Sequence, residues 1–149
     1  MIYVHVPYCR SFCKYCDFYS EIACKGLEKF EDYTRELCSE ALSRKEEIVE
    51  SSAVNTLYLG GGTPSVMPLS FFERLLESLS ACGAGPFDEF TVEVNPDDII
   101  RRGPGFGKAL RALGVNRISM GVQSLDDTQL RWMGRRHDAA AARQAFAIL

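Results

Sequence analysis

Three cysteines crowd into eight residues: Cys9, Cys13 and Cys16 in CRSFCKYC, a C-x₃-C-x₂-C spacing. Thiolate is a soft ligand that suits iron–sulfur clusters and zinc. A loop this short can bring all three sulfurs onto one small object. Structural zinc favours four ligands in paired groups. His5 could supply a fourth, but it lies within a strand-like run. A [4Fe–4S] cluster held by three thiolates leaves one iron without a protein ligand. Such an open position is the mark of a metal that binds substrate or cofactor. The spacing points first to an iron–sulfur centre, with zinc as the alternative. Cys24, Cys38 and Cys82 are scattered and read as packed free thiols.

Other residue types elsewhere could serve such a centre. Gly60, Gly61, Gly62 and Thr63 follow an apolar run. Glycines let backbone approach a ligand closely and expose N–H donors, although a plain turn uses the same residues. Glu93 stands near the end of FTVEV, where a carboxylate in a buried strand is costly unless paired. Gln123, closing the run RISMGVQ, offers amide donors and an acceptor for a nucleoside or carboxylate. His5 and His137 have no motif partner that would make them ligands. Pro64 and Ser65 read as shaping a loop exit, and Asn95 and Pro96 as ending a strand.

The elements that must position these residues alternate in type. Ile2 to Val6, Val54 to Leu59, Phe90 to Val94 and Arg117 to Val122 read as strands. Helices are expected from about Leu27 to Glu50, after a Ser70 N-cap, from Gly107 to Leu113, from about Asp127 to Met133 and from Asp138. In the first, Leu27, Phe30, Tyr33, Leu37 and Ala41 share one face. Consecutive strand–helix units imply parallel strands. Four units cannot close a (β/α)₈ barrel, which takes ~250 residues. A doubly wound sheet could stand alone. The chain runs into Phe146-Ala147-Ile148-Leu149 without a helix stop signal, so an N-terminal piece of a longer protein is expected.

The 149 residues carry 17 basic and 20 acidic side chains, for a net charge of −3, and are 46% hydrophobic. That composition excludes a disordered tail. Mild acidity gives no electrostatic case for nucleic acid or a membrane surface. No apolar run reaches the ~18 residues of a membrane span. The opening MIYVHVPYC lacks the pattern of a secretion signal, and clustered thiols suit a reducing compartment, so the cytoplasm is expected.

Four segments in order, YVHVPYCRSFCKYCDF, YLGGGTPS, EVNPDD and RISMGVQS, with a later arginine, resemble the radical S-adenosylmethionine (SAM) superfamily. Within it they are similar to the oxygen-independent coproporphyrinogen III oxidase-like family. The resemblance covers essentially the whole chain. It implies a partial (β/α)₆ barrel, with about the first four βα units present. It implies a [4Fe–4S] cluster on Cys9, Cys13 and Cys16 whose unique iron chelates SAM and whose electron cleaves it to a 5′-deoxyadenosyl radical. It further implies SAM contacts from Tyr3, Tyr15, Gly61, Gly62, Thr63, Glu93, Gln123 and Arg135, with Arg136 as the solvated neighbour.

The family has two main branches, the oxidase and a HemW-like heme chaperone. The oxidase pattern continues with a cysteine two residues after the third ligand, where this chain has Phe18. The motif also lies close to the first residue, as in the chaperone branch. The resemblance therefore implies heme as bound cargo, heme-accepting proteins as partners, and no catalytic residue of its own. Oxidative decarboxylation of coproporphyrinogen III to protoporphyrinogen IX is the alternative.

Overall fold

The computed structural model describes residues 1–23, 27–51 and 54–149. The reading of Cys24 as a packed thiol lies outside them, as does the Leu27 side chain.

Four parallel strands form one sheet in the order β1 (Ile2–Val6), β4 (Thr56–Gly61), β5 (Glu89–Val94), β6 (Arg117–Met120). The expected strand–helix alternation is therefore present. Residues alternate across the sheet with the period of two that strands impose. Val4, Val6, Leu57, Leu59, Phe90, Val92 and Val94 are buried in the core. Tyr3, His5, Tyr58 and Glu93 belong to the opposite face, which carries the polar chemistry. In register, Tyr3 pairs with Tyr58, Tyr58 with Thr91, and Glu93 with Ser119.

Helices α1 (Leu27–Ser43) and α3 (Leu69–Ala81) pack together. The apolar stripe of α1 runs from Phe30 through Tyr33 and Leu37 to Ala41, and meets Phe71, Phe72, Leu75 and Leu79 of α3 in the core. Aromatic edges link the layers: Tyr8 packs on Phe30 and Tyr33, and Phe72 on Phe71 and Phe106.

The structure corrects several boundaries. The long first helix breaks at Arg44, giving α2 (Lys45–Glu50), and the Arg44 guanidinium bonds Glu40 and Glu47 across the break. Strand β4 begins later than expected and continues through Gly60 and Gly61, because that segment still pairs with His5 and Val6. Ser70 does not cap α3. The extended Pro68 stands at the N-cap, and Ser70 is already inside the helix.

Asn95 and Pro96 do more than end β5. Asn95 caps a further helix, α4 (Pro96–Arg102), its side chain accepting from the Asp97 N–H at 3.2 Å, with Pro96 in the first turn. Helix α5 (Pro104–Ala112) begins earlier than expected. The cysteine loop adds a parallel pair, β2 (Tyr8–Cys9) and β3 (Glu21–Ile22), too short to carry a hydrophobic period. Helix α6 (Asp127–Met133) has Asp126 as its N-cap. Helix α7 (Ala139–Ile148) is capped by Asp138, which accepts from the Ala141 N–H at 2.7 Å.

Candidate functional site

The C-terminal ends of β4, β5 and β6, with the cysteine loop that follows β1, line a cavity of about 530 Å³. Cys9, Cys13 and Cys16 line it, with Tyr15, Gly61, Gly62, Thr63, Glu93, Gln123 and Arg135. Residues as distant in the chain as Cys9 and Gln123 thus meet at one place, because parallel strands put all their carboxyl ends on one side.

Tyr3 is the exception. It does not line this cavity. It stands below it on β1, its ring centroid 6.0 Å from that of Tyr58 and its hydroxyl 3.1 Å from His5 Nδ1. Burial is the main cause raising its phenol pKa, with the Glu93 charge adding to it. His5 is no spare ligand. Its Nε2 donates to the Tyr19 carbonyl at 3.1 Å, which leaves Nδ1 to accept from Tyr3.

The cysteine loop is tied down along its length. The Ala23 N–H donates to the Cys9 carbonyl at 2.7 Å, and the Lys14 N–H to the Met133 carbonyl at 3.0 Å. The Arg135 guanidinium donates to Cys13 Sγ at 3.4 Å and to the Gly121 carbonyl at 2.7 Å. A metal-bound thiolate at Cys13 would have this fixed cation beside it. Thr63 Oγ1 lies 3.5 Å from Cys9 Sγ. Tyr15 is held in the same pocket, and burial is the chief cause raising its phenol pKa.

The glycine segment works differently from the expectation of free N–H donors. The Gly62 N–H donates to the Val6 carbonyl at 2.8 Å and the Thr63 N–H to the Tyr8 carbonyl at 2.7 Å. Those amides stitch the segment to the start of the cysteine loop. A Cβ on Gly62 would lie 2.7 Å from the Tyr8 carbonyl oxygen and 2.8 Å from that of Val6. Gly62 is needed for close backbone approach.

Gln123 does not end a strand. It sits beyond β6 with φ of 66°, at the centre of a turn closed by the Ser124 N–H on the Val122 carbonyl at 2.8 Å. A positive φ with an i to i+2 bond is the sense of the strained γ-turn. Gly121 leaves room for two side chains. A Cβ there would be 3.1 Å from Gln123 Nε2 and 3.5 Å from Arg135 Nη2. The amide and the guanidinium therefore converge over Gly121, a residue that sequence reasoning missed.

Arg136 is not the solvated neighbour. Its side chain is 27% exposed and forms an ion pair with Asp97. Sequence reasoning also missed Asp98 and Tyr58. Asp98 is buried under the cavity, and the Tyr58 hydroxyl donates to Glu93 Oε1 at 2.6 Å.

The donor set fits an iron–sulfur cluster. Three thiols border one cavity, a guanidinium faces one of them, and Arg135 Nε is buried without a hydrogen-bond partner among the described residues. Among those residues no three His, Cys, Asp or Glu side chains gather around a single point as one metal ion would require.

A parallel βα sheet with a three-cysteine loop at its carboxyl ends defines a class, and the comparisons agree with it. The model of the radical SAM superfamily matches residues 3–149, and the chain belongs to that superfamily. It is 37% identical over 148 residues to the heme chaperone HemW of Escherichia coli, covering 99% of this chain and 38% of that protein. It is 36% identical to the mitochondrial radical S-adenosyl methionine domain-containing protein 1 of Bos taurus, covering 98% and 32%. The chain thus spans about a third of the length of these relatives. Among solved structures it resembles the coproporphyrinogen III oxidase HemN of Escherichia coli, described as a radical SAM enzyme. The TM-score is 0.75 and the identity 28%, covering 98% of this chain and 33% of that one.

Proposed function

We propose that residues 1–149 are the N-terminal part of a radical SAM core domain in a HemW-like heme chaperone, which binds heme and transfers it to acceptor proteins in the cytoplasm. Cys9, Cys13 and Cys16 would hold a [4Fe–4S] cluster. Tyr15, Gly61, Gly62, Thr63, Glu93, Gln123 and Arg135 would surround SAM, with Tyr3 acting from the layer below. When bound, the cluster supplies one-electron chemistry to SAM.

The chain's own residues divide the remaining work. The Glu93 carboxylate would accept from an ammonium group. The Gln123 amide and the Arg135 fork would receive a carboxylate or ribose. Tyr58 fixes the carboxylate of Glu93 through its hydroxyl. Arg135 also sets positive charge against Cys13.

The observation that carries this reading is the meeting of three cysteines, Glu93, Gln123 and Arg135 on one cavity. The chaperone branch is supported by the identity to HemW and by Phe18, which lines the cavity where the oxidase pattern has a cysteine.

The likeness to HemN favours a second reading, oxidation of coproporphyrinogen III. One experiment separates the two. The full gene product, reconstituted anaerobically, is expected to bind heme and to leave coproporphyrinogen III unchanged. Conversion to protoporphyrinogen IX would establish the oxidase reading instead.

A further inference from the structure

A carboxylate as deeply buried as Asp98 needs a reason, because a charge taken from water is costly unless it is paired and hydrogen-bonded. Asp98 is 1% exposed. Both of its oxygens are engaged: Arg10 Nε donates to Oδ1 at 2.6 Å, and Ser65 Oγ donates to Oδ2 at 2.8 Å. Ser65 Oγ in turn accepts from the Asn95 N–H at 3.2 Å. Arg102 holds the same segment from the other side, donating to the Ser65 and Met67 carbonyls at 3.0 and 2.6 Å. The first turn of α4, the loop after β4 and the cysteine loop are thereby joined in one network.

Arg10 lies between Cys9 and Cys13 and borders the cavity beside them. We propose that Asp98 is a positioning residue that holds Arg10, and through it the Cys9–Cys13 segment, in the conformation that takes up the cluster. The neighbouring Asp97 reaches a second arginine at the edge of the same cavity. It pairs with Arg136, the residue next to the Arg135 that faces Cys13. One helical turn, Pro96-Asp97-Asp98, thus pairs with two arginines that border the cavity. A charge-assisted bond of this kind is shorter and stronger than a neutral one. A second layer of such bonds fixes how the ligating residues are presented.

This inference rests on the cysteine loop holding a cluster. The test uses the full gene product, reconstituted anaerobically with iron and sulfide. It reads the rate of iron loss to a chelator and the electron paramagnetic resonance spectrum of the reduced cluster. Asp98→Asn and Arg10→Gln are each expected to lose iron about 10–100-fold faster than wild type, with an altered spectrum. The double variant is expected to be no worse than the worse single, because one interaction has been removed twice. Arg10→Lys should recover part of the loss. Arg74→Gln, which breaks a surface pair with Glu31, should change neither readout.

Wild-type rates and spectra in both single variants, or strictly additive losses in the double, would overturn the inference. If Asp98→Asn fails to fold, Arg10→Lys decides alone, since it keeps a cation against the buried carboxylate while losing the Nε bond, and a wild-type rate of iron loss there overturns the inference. A wild-type protein that takes up no cluster would overturn the underlying reading, and this inference with it.

Discussion

The Tyr58 hydroxyl donates to Glu93 Oε1 at 2.6 Å, across adjacent strands of the sheet. Gly60 makes the contact possible, since a Cβ there would lie 2.7 Å from the Tyr58 ring and 3.1 Å from Glu93 Cδ. Burial, followed by the bond to Glu93, raises the phenol pKa, so Tyr58 keeps its proton at neutral pH. Tyr58→Phe keeps the ring and removes the bond. A net hydrogen bond to a charged group is worth about 1.5 kcal/mol, so SAM affinity should fall roughly tenfold while iron content stays at the wild-type level. Titration calorimetry of the reconstituted protein checks this, and unchanged affinity would remove Tyr58 from the site.

Gly62 and Gly105 offer a contrast within one chain. At Gly62 a methyl group would press on the Val6 and Tyr8 backbone, which cannot rotate away as a side chain can. Gly62→Ala should destabilise the fold by about 1–3 kcal/mol. At Gly105, inside α5, a Cβ would meet nothing within 4 Å. Gly105→Ala should stabilise by about 0.5 kcal/mol through helix propensity. Chemical denaturation of the two variants should give opposite shifts of the midpoint.

His137 predicts the acid side of the stability profile. Its Nε2 donates to the Val122 carbonyl at 3.1 Å, holding the turn that carries Gln123, and the ring is 5% exposed. Burial is the main cause lowering its pKa below the ordinary 6.5. The Val122 carbonyl and Asp138 oppose that shift, and Arg135 adds to it. A group whose folded pKa is lowered binds fewer protons folded than unfolded. Its contribution is therefore fully present above pH ~6.5 and is lost as pH falls toward the folded value. Melting temperatures should drop over that window in the wild type and flatten in His137→Phe. A flat wild-type profile between pH 7 and 5 (roughly the range the imidazole titrates) would contradict this.

Much of this arrangement is legible in the residues, for physical reasons. Apolar alternation locates the strands, and the cysteine spacing locates the loop between β1 and α1 where the cavity opens. Helix α4 is not legible as a helix. Asn95-Pro96 reads as the stop of β5, although the same Asn-Pro-Asp-Asp run caps and charges α4. The buried role of Asp98 depends on Ser65 and Arg10, residues 33 and 88 positions away, and no local pattern encodes such a contact. The same holds for Arg136, which reads as solvated until α4 brings Asp97 to it. Gln123 reads as part of a strand because its neighbours are β-rich. Only the closing Ser124–Val122 bond shows the turn.

The cluster is tested most directly by the iron content and visible absorption of the anaerobically reconstituted gene product and its single cysteine variants. Cys9→Ala, Cys13→Ala and Cys16→Ala should each abolish the bound cluster and its broad absorbance. Cys38→Ala, whose thiol donates to the Arg74 carbonyl between α1 and α3, should retain both. Equal iron in all four variants, or a wild-type protein that holds zinc or no metal, would contradict the claim that these three sulfurs grip an iron–sulfur cluster.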